Sequence, residues 1–382
     1  MSESPLRAVV VGAGFAGEGH TLALRYAGVD VVAICSRTPA VVQAVAARLG
    51  VPEASTDWAE TLQRVRPEIV AVATPGSLRA PLIEAAAALG AHIYCDKPLA
   101  PDAPEAERLY RLVAASGVKH ALAATHRYDP SVQWLAELLR AGTVGELLEV
   151  EGTFRRRIDP LTPWGWYDQL ASGGGLMHNA FPHWLGILMT TTGGELRRVM
   201  GEARVLRHRA PVVPEIHDFR ERGARAPAAA EAEALEWRAC DADNAFSALL
   251  RFAPPGADGP PGREVQVTLV ASGARATWPP NGWRFHGESG SLLADGHFGY
   301  EVTLKRSADG PAEPLPVPQR LLDDLPAVGT EFQNKWAALA RDFVADIRGR
   351  PFRPYLTFRD GWRFECTVDT IRAGAGWLVL PE

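Results

Sequence analysis

The feature that most narrows the fold is a glycine pattern in a fixed setting. Leu6–Val11 is a short, mostly β-branched apolar run, the signature of a strand buried on both faces. It meets Gly12-x-Gly14-x-x-Gly17, and the residues Glu18–Tyr26 that follow read as a helix. Glycines at this spacing allow a tight turn, close approach of a pyrophosphate and close helix–strand packing. The helix N-terminus offers free N–H groups and a partial positive charge to the phosphates. Phe15 and Ala16 lie inside the turn and join Gly12, Gly14 and Gly17 as expected cofactor contacts. This order commits the start of the chain to a parallel α/β sheet that binds a dinucleotide.

The alternation then continues. VDVVAICSR is a second strand ending in Ser36-Arg37, and EIVAVATPG a third ending in Thr74-Pro75. AHIYCDKPLA is another, ending in Asp96-Lys97-Pro98, with helices RAPLIEAAAALG and PEAERLYRLVAASG on either side. A doubly wound parallel sheet through about residue 125 follows, with its ligand at the carboxyl ends of the strands. Gly12–Gly17, Ser36, Arg37, Thr74, Pro75, Asp96 and Lys97 all fall there. An NAD site usually has Asp or Glu after the second strand for the ribose 2′-hydroxyl. Ser36 removes repulsion toward a 2′-phosphate and Arg37 can pair with one. The cofactor is read as NAD(P), leaning to NADP; an exposed loop arginine is the plain alternative.

Bulk properties exclude several classes. The 382 residues carry a net charge of −5, and the pI is about 6.1, which suits neither a nucleic-acid partner nor a polybasic membrane contact. No run of about 18 apolar residues suggests a membrane span. The N-terminus lacks a signal-peptide pattern, so a cytoplasmic protein is expected. Cys35, Cys95, Cys240 and Cys366 form no CxxC pair and read as free thiols in a reducing compartment. No HxH or HExxH arrangement marks a metal site.

From residue 126 the pattern changes. Residues 145–157, 196–209, 244–252, 263–272, 283–295 and 300–307 show partial alternation, as strands of an antiparallel sheet covered on one face do. Residues 331–349 and 359–378 read as closing amphipathic helices. Two domains are expected, 1–125 and 126–382. Residues 209–242 fit neither; a short helix after Pro227 and a solvated insertion are the readings, with a lid or an oligomer contact as alternatives. Residues 253–262 read as a flexible loop.

The stretch GGGLMHNAFPH, residues 173–183, has the look of a site. Asn179 and His183 are four apart and share a face on a helix. The three glycines would let the backbone turn tightly and approach the cofactor. The competing reading makes Asn179 a helix N-cap with Pro182 in the first turn. His126-Arg127-Tyr128 at the domain junction and Trp164 and Trp166 before the glycine run are further candidates to line a cleft; His178 divides evenly between pocket wall and structure.

GAGFAG, Asp96-Lys97-Pro98 and the later GGG…Asn179…His183, taken with RYDPSVQWLAELLRAGTVGEL and YLTFRDGWRFECTVDTI, give a chain that resembles the Gfo/Idh/MocA family along most of its length. The resemblance implies a Rossmann domain followed by an α/β domain with a large open, mostly antiparallel sheet. It also implies oligomerisation through that sheet to a homodimer or homotetramer, a nicotinamide cofactor, and sugar or polyol substrates. Asp96 stands where the family usually has Glu, and Asn179 where it usually has Asp.

These residue types suit alcohol oxidation. His183 titrates near neutrality and suits a general base. Lys97 is a point cation for a developing alkoxide, and a desolvated lysine can also relay a proton. Asn179 cannot exchange a proton, so its expected role is orientation. Lys97, His126, Trp166, His178, Asn179 and His183 are the expected substrate contacts. Two other functions remain open: a redox-neutral enzyme that processes glycosides with a tightly held nicotinamide, and a non-catalytic sensor of nucleotide or sugar.

Overall fold

A computed structural model describes residues 4–214, 216, 221–253, 264–274, 281–296, 299–374, 376 and 378–380. Strands β1 (Arg7–Val11), β2 (Asp30–Cys35), β3 (Glu53–Ser55), β4 (Ile69–Val72), β5 (His92–Cys95) and β6 (His120–Leu122) form a parallel sheet in the order β3-β2-β1-β4-β5-β6. The central strands are buried on both faces: Ala8, Val9, Val10 and all of Ile69–Val72 have no exposed surface. That is why they read as continuous apolar runs. The order reverses between β1 and β4, and the glycine turn sits at that switch point. The helix after it starts at Phe15, not Glu18.

The second sheet contains β7 (Leu147–Arg155), β8 (Glu195–Arg204), β11 (Ala245–Ala253), β12 (Val265–Ser272), β13 (Gly282–Gly287), β14 (Gly290–Asp295), β15 (Glu301–Lys305), β16 (Ala312–Pro314) and β17 (Leu378–Val379). Its order is β16-β15-β14-β13-β7-β12-β11-β8-β17. Every neighbouring pair is antiparallel except β7 with β12. β12 alternates buried and half-buried along its whole length, so one face is covered. The covering helix is Leu176–Thr192, whose Trp184 stacks on Phe154 at 4.2 Å and whose Phe181 meets Phe246 at 5.1 Å. Residues 283–295, read as one strand, are the hairpin β13–β14. The expected loop at 253–262 lies outside the described residues apart from Ala253.

A single cut at residue 125 does not describe the packing. Helix Glu331–Ile347 returns to the first sheet and buries Trp336, Ala337, Leu339, Ala340 and Phe343 against the strands of the first 125 residues. Its contact with helix Phe15–Tyr26 requires Gly19, where a Cβ would enter the Trp336 ring. Helix Phe358–Arg372 likewise spans both layers, stacking Trp362 on Tyr110 at 5.7 Å. Residues 209–242 contain a ribbon of β9 (Arg209–Pro211) and β10 (Trp237–Ala239), with short helices Glu221–Ala224 and Ala229–Ala232. Among the described residues no helix is long and apolar enough to cross a membrane.

The junction is held by a buried ion pair. Lys335, 1% exposed, lies 2.9 Å from Asp129, which also accepts from the Ser131 amide and hydroxyl at 3.1 and 2.6 Å. Removing one partner leaves an uncompensated buried charge, worth about 3–5 kcal/mol. Lys335→Met is expected to lose that much stability in urea unfolding, and Asp129→Asn/Lys335→Met together to lose less. A single-variant loss under about 1 kcal/mol would refute this account of the junction.

Candidate active site

The glycine turn is fixed by sterics. Gly12 has φ +119°, and a Cβ there would lie 2.6 Å from the Ala73 carbonyl oxygen after β4. A Cβ at Gly17 would overlap the Gly12 carbonyl. Gly14 caps the helix without any side-chain acceptor, so no cap side chain occupies the first-turn N–H groups. A dinucleotide pyrophosphate fits this cradle: glycine backbone, open amides and no competing carboxylate cap. Phe15 and Ala16 begin the helix, and Phe15 meets Phe332 at 6.0 Å. Ser36 is half-buried and Arg37 exposed just beyond β2. Thr74 follows β4, and its hydroxyl is buried without a hydrogen bond. The structure thus gathers Gly12–Gly17, Ser36, Arg37, Thr74, Pro75, Asp96 and Lys97 along one edge of the sheet.

Arg79, which the sequence did not single out, organises that edge. It is 2% exposed. Its guanidinium donates to the Thr74 carbonyl at 2.6 and 2.8 Å, to the Lys97 carbonyl at 3.3 Å, and to the carbonyls of Asp96 and Pro98. Its five planar donors collect acceptors from two loops at once, which a lysine could not do. The Lys97–Pro98 peptide in this loop is cis.

Lys97 crosses to the second domain. Its Nζ donates to the Asn179 backbone carbonyl at 2.7 Å and to Asn179 Oδ1 at 3.0 Å. Asn179 is not an N-cap: helix Leu176–Thr192 begins three residues earlier, capped by Gly175, and the Asn179 N–H already bonds the Gly175 carbonyl at 3.1 Å. Pro182 sits inside the helix and has no N–H to offer the His178 carbonyl one turn before it. The Lys97 ammonium meets the next carbonyl, that of Asn179. Burial pushes the Lys97 pKa down to about 8, with Arg79 adding to the shift and Asp96 opposing it.

One turn on, His183 is buried, and its Nδ1 has no hydrogen-bond partner. Desolvation, then the neighbouring His126, Lys97 and Lys335, push its pKa well below the ordinary histidine value. It is a neutral imidazole at neutral pH. His126 stacks on it with ring centroids 3.8 Å apart and planes 10° from parallel. The structure thus brings His126, expected at the cleft, against His183.

His178, expected as a substrate contact, is turned elsewhere. Its Nε2 lies 3.0 Å from Glu365 Oε2, both side chains being 1% exposed, and its Nδ1 faces the Gly174 carbonyl at 3.2 Å. It belongs to a buried network with Arg372 and Asp243 that holds the helix start. Asp243 accepts from Met177 N at 2.8 Å through its side chain and from Leu176 N at 2.8 Å through its carbonyl. Arg372 bridges Asp243 at 2.5 Å to the Gly174 carbonyl at 3.1 Å. The helical side opposite Asn179 is structural.

The glycines serve packing at least as much as approach to a ligand. A Cβ on Gly174 would strike the carbonyls of Trp166 and Tyr167. Gly173 lies 3.6 Å from Gly76 of the first domain, measured from its notional Cβ. Trp166 is 38% exposed beside Tyr167, rings 5.9 Å apart. Burial pushes the Tyr167 pKa up to about 12. Trp164 is a structural anchor whose indole donates to the Ala239 carbonyl at 3.0 Å.

Comparison with known proteins gives a consistent picture. Residues 6–124 match the model described as "Oxidoreductase family, NAD-binding Rossmann fold", and residues 132–293 match "GFO/IDH/MocA C-terminal domain". The chain is 26% identical to levoglucosan dehydrogenase of Pseudarthrobacter phenanthrenivorans, over 98% of this chain and 97% of that protein. It is 29% identical to inositol 2-dehydrogenase of Arthrobacter sp., over 51% of this chain and 56% of that one. A solved structure of levoglucosan dehydrogenase with NADH and levoglucosan superposes with a TM-score of 0.78 at 22% identity, covering 99% of this chain and 100% of that one, a likeness of fold.

The helix start gives a direct test of the site's architecture. Gly175 has φ +102°, and a Cβ there would lie 2.6 Å from Asp243 Oδ1 and 2.9 Å from Arg372 Nη2. Gly175→Ala is expected to lower stability by about 1–3 kcal/mol in thermal or chemical unfolding. A variant as stable as the parent would show that this turn does not constrain the helix.

Proposed function

The chain belongs to the GFO/IDH/MocA oxidoreductase family, and on that premise we propose that it is an NAD(P)-dependent dehydrogenase of a sugar, sugar derivative or cyclic polyol. The single observation that carries the reading is the convergence of Lys97, Asn179 and neutral His183 at the dinucleotide edge of the first sheet. The relatives that act on levoglucosan and inositol support the substrate class.

Gly12, Gly14, Phe15, Ala16 and Gly17 would hold the pyrophosphate; Ser36 and Arg37 face the adenosine ribose; Thr74, Pro75 and Asp96 line the nicotinamide side. When bound, the nicotinamide supplies the acceptor for a hydride from the carbinol carbon. Lys97 stabilises negative charge growing on the carbinol oxygen. His183, neutral and desolvated, takes the hydroxyl proton as the carbonyl forms. Asn179 fixes the lysine and offers its amide to the substrate without exchanging a proton. His126 and Trp166 wall the substrate space. The absence of a carboxylate after β2, with Arg37 exposed there, supports NADP as the preferred nucleotide. The polar open face of the second sheet supports self-association as a homodimer or homotetramer, and the free thiols support a cytoplasmic setting.

The pH profile has a worked sign. A base with a lowered pKa stays neutral, and active, down to that pKa. Sugar or polyol oxidation, as kcat/KM, is expected to stay flat through pH 6.5 and fall above about pH 8, as Lys97 loses its proton. An acid limb centred near 6.5 would remove His183 as a buried base. Lys97→Met is expected to cut kcat by about 100-fold or more while leaving nucleotide binding in place; unchanged turnover would sink the mechanism.

Arg37→Ala is expected to weaken NADPH binding about tenfold by fluorescence titration, with NADH little changed. Equal effects on both nucleotides would count against the 2′-phosphate contact.

A further inference from the structure

An imidazole nitrogen that accepts a hydrogen bond carries no proton of its own. The backbone N–H of Phe358 donates to His120 Nδ1 at 3.0 Å, across 238 residues of sequence. Phe358 is the first residue of helix Phe358–Arg372, so this N–H has no partner inside the helix. Thr357 before it is committed elsewhere, bonding Asp360 through its amide at 2.7 Å and its hydroxyl at 2.9 Å. The His120 and Phe358 rings lie 4.9 Å apart. A side chain of β6 thus caps a helix from the far end of the chain, and only the neutral imidazole with its proton on Nε2 can do so. The capped helix backs both halves of the site. A Cβ on Gly361, in its first turn, would lie 2.9 Å from Leu99, two residues beyond Lys97. At its other end Arg372 holds Asp243 at 2.5 Å and the Gly174 carbonyl at 3.1 Å, at the start of the helix that carries Asn179.

His120 opens β6 at the amino edge of the first sheet, away from the nucleotide turn. Charged and titratable groups reach this corner from each element around it. From β5, His92 Nδ1 accepts the Lys119 N–H at 3.0 Å, a second histidine wired as an acceptor. Lys119, next to His120, pairs with Asp346 of helix Glu331–Ile347 at 3.0 Å, and Asp346 also accepts from the Tyr355 hydroxyl at 2.5 Å. On the capped helix Asp360 is bound to Thr357, and Arg359 pairs with Glu195 of β8 at 3.5 Å. Burial, then the Lys119 charge, pushes the His120 pKa down to about 4. The same two causes lower that of His92, with Asp346 opposing. A histidine with a depressed folded pKa keeps its contact above the ordinary value of 6.5 and loses it as pH falls toward the folded value.

We propose that His120 is an acid-sensitive latch on helix Phe358–Arg372: neutral, it holds the helix start to β6, and protonated at Nδ1 it cannot accept the Phe358 N–H, so the first turn of the helix is released. The proposal goes beyond the dehydrogenase reading and does not depend on it. Acid then reaches the Lys97 loop through its support at Gly361 and Leu99, without a proton on any group of the site.

The test is amide hydrogen exchange of the full-length protein, followed by mass spectrometry on peptides covering Phe358–Gly361 and corrected for the intrinsic pH dependence of exchange. The bonded amides there are those of Phe358, to His120, and Gly361, to the Thr357 carbonyl. From pH 7 to pH 5 wild type is expected to lose about tenfold or more in protection, because the opened state binds a proton that the latched state refuses. Helix Pro39–Leu49, at the opposite edge of the sheet, is the control and is expected to change by less than about threefold. In His120→Asn the amide oxygen stands in for Nδ1 as an acceptor but does not titrate, so protection at Phe358–Gly361 is expected to hold within about threefold over the same range. Unchanged wild-type protection, or an equal fall in His120→Asn, overturns the proposal. If His120→Asn does not fold, wild type alone decides. A loss at Phe358–Gly361 with Pro39–Leu49 unmoved supports the latch, and a loss of the same size in both overturns it, since general acid unfolding has no means of choosing one helix.

Discussion

The hydrogen bonds from Lys97 to Asn179 are the tie on which the site depends. They join a loop of the first sheet to a helix of the second domain, at 2.7 and 3.0 Å, across 82 residues of sequence. Each end is held separately. On the first side, buried Arg79 gathers the carbonyls of Thr74, Asp96, Lys97 and Pro98, so the lysine's own backbone is fixed. On the second, Asp243 and Arg372 secure the start of the helix that carries Asn179. Neither support touches the reacting space, yet moving either would displace the ammonium from the nicotinamide edge. Catalytic geometry tolerates little such displacement.

The local charges also act together. Lys97, Lys335 and Arg79 bring positive charge to a desolvated region. Desolvation and the neighbouring His126, Lys97 and Lys335 disfavour a proton on His183, with Asp129 paired to Lys335 behind it. The same positive field that keeps the histidine neutral favours an alkoxide. The two roles need no separate machinery. A neutral base beside a cation suits removal of a hydroxyl proton from a substrate that becomes more negative as it reacts.

Local rules made the first sheet legible. A buried parallel strand reads as a continuous apolar run, and the glycine turn has a steric reason at Gly12 and Gly17 that any sequence with this function must satisfy. The four-residue spacing of Asn179 and His183 anticipated one shared helix, and the structure adds that Lys97 reaches it. What was not legible was tertiary. Arg79 reads as an ordinary helix-start arginine until the loops around it are folded. His178 and Asn179 are adjacent in sequence yet face opposite networks, and only the position of Glu365 and Arg372 decides which is structural. The return of Glu331–Ile347 to the first sheet breaks any linear division of the chain, because its amphipathic pattern reveals an apolar face and not its partner.

Asn179 ties these observations together. A carboxylate at this position would place an anion beside Lys97, favour the ammonium and raise its pKa. The neutral amide does not. It leaves the Lys97 charge to be met by a carbonyl and an amide oxygen, so desolvation dominates and the lysine sits near pH 8. One exchange of oxygen for nitrogen thus makes the lysine a weaker base.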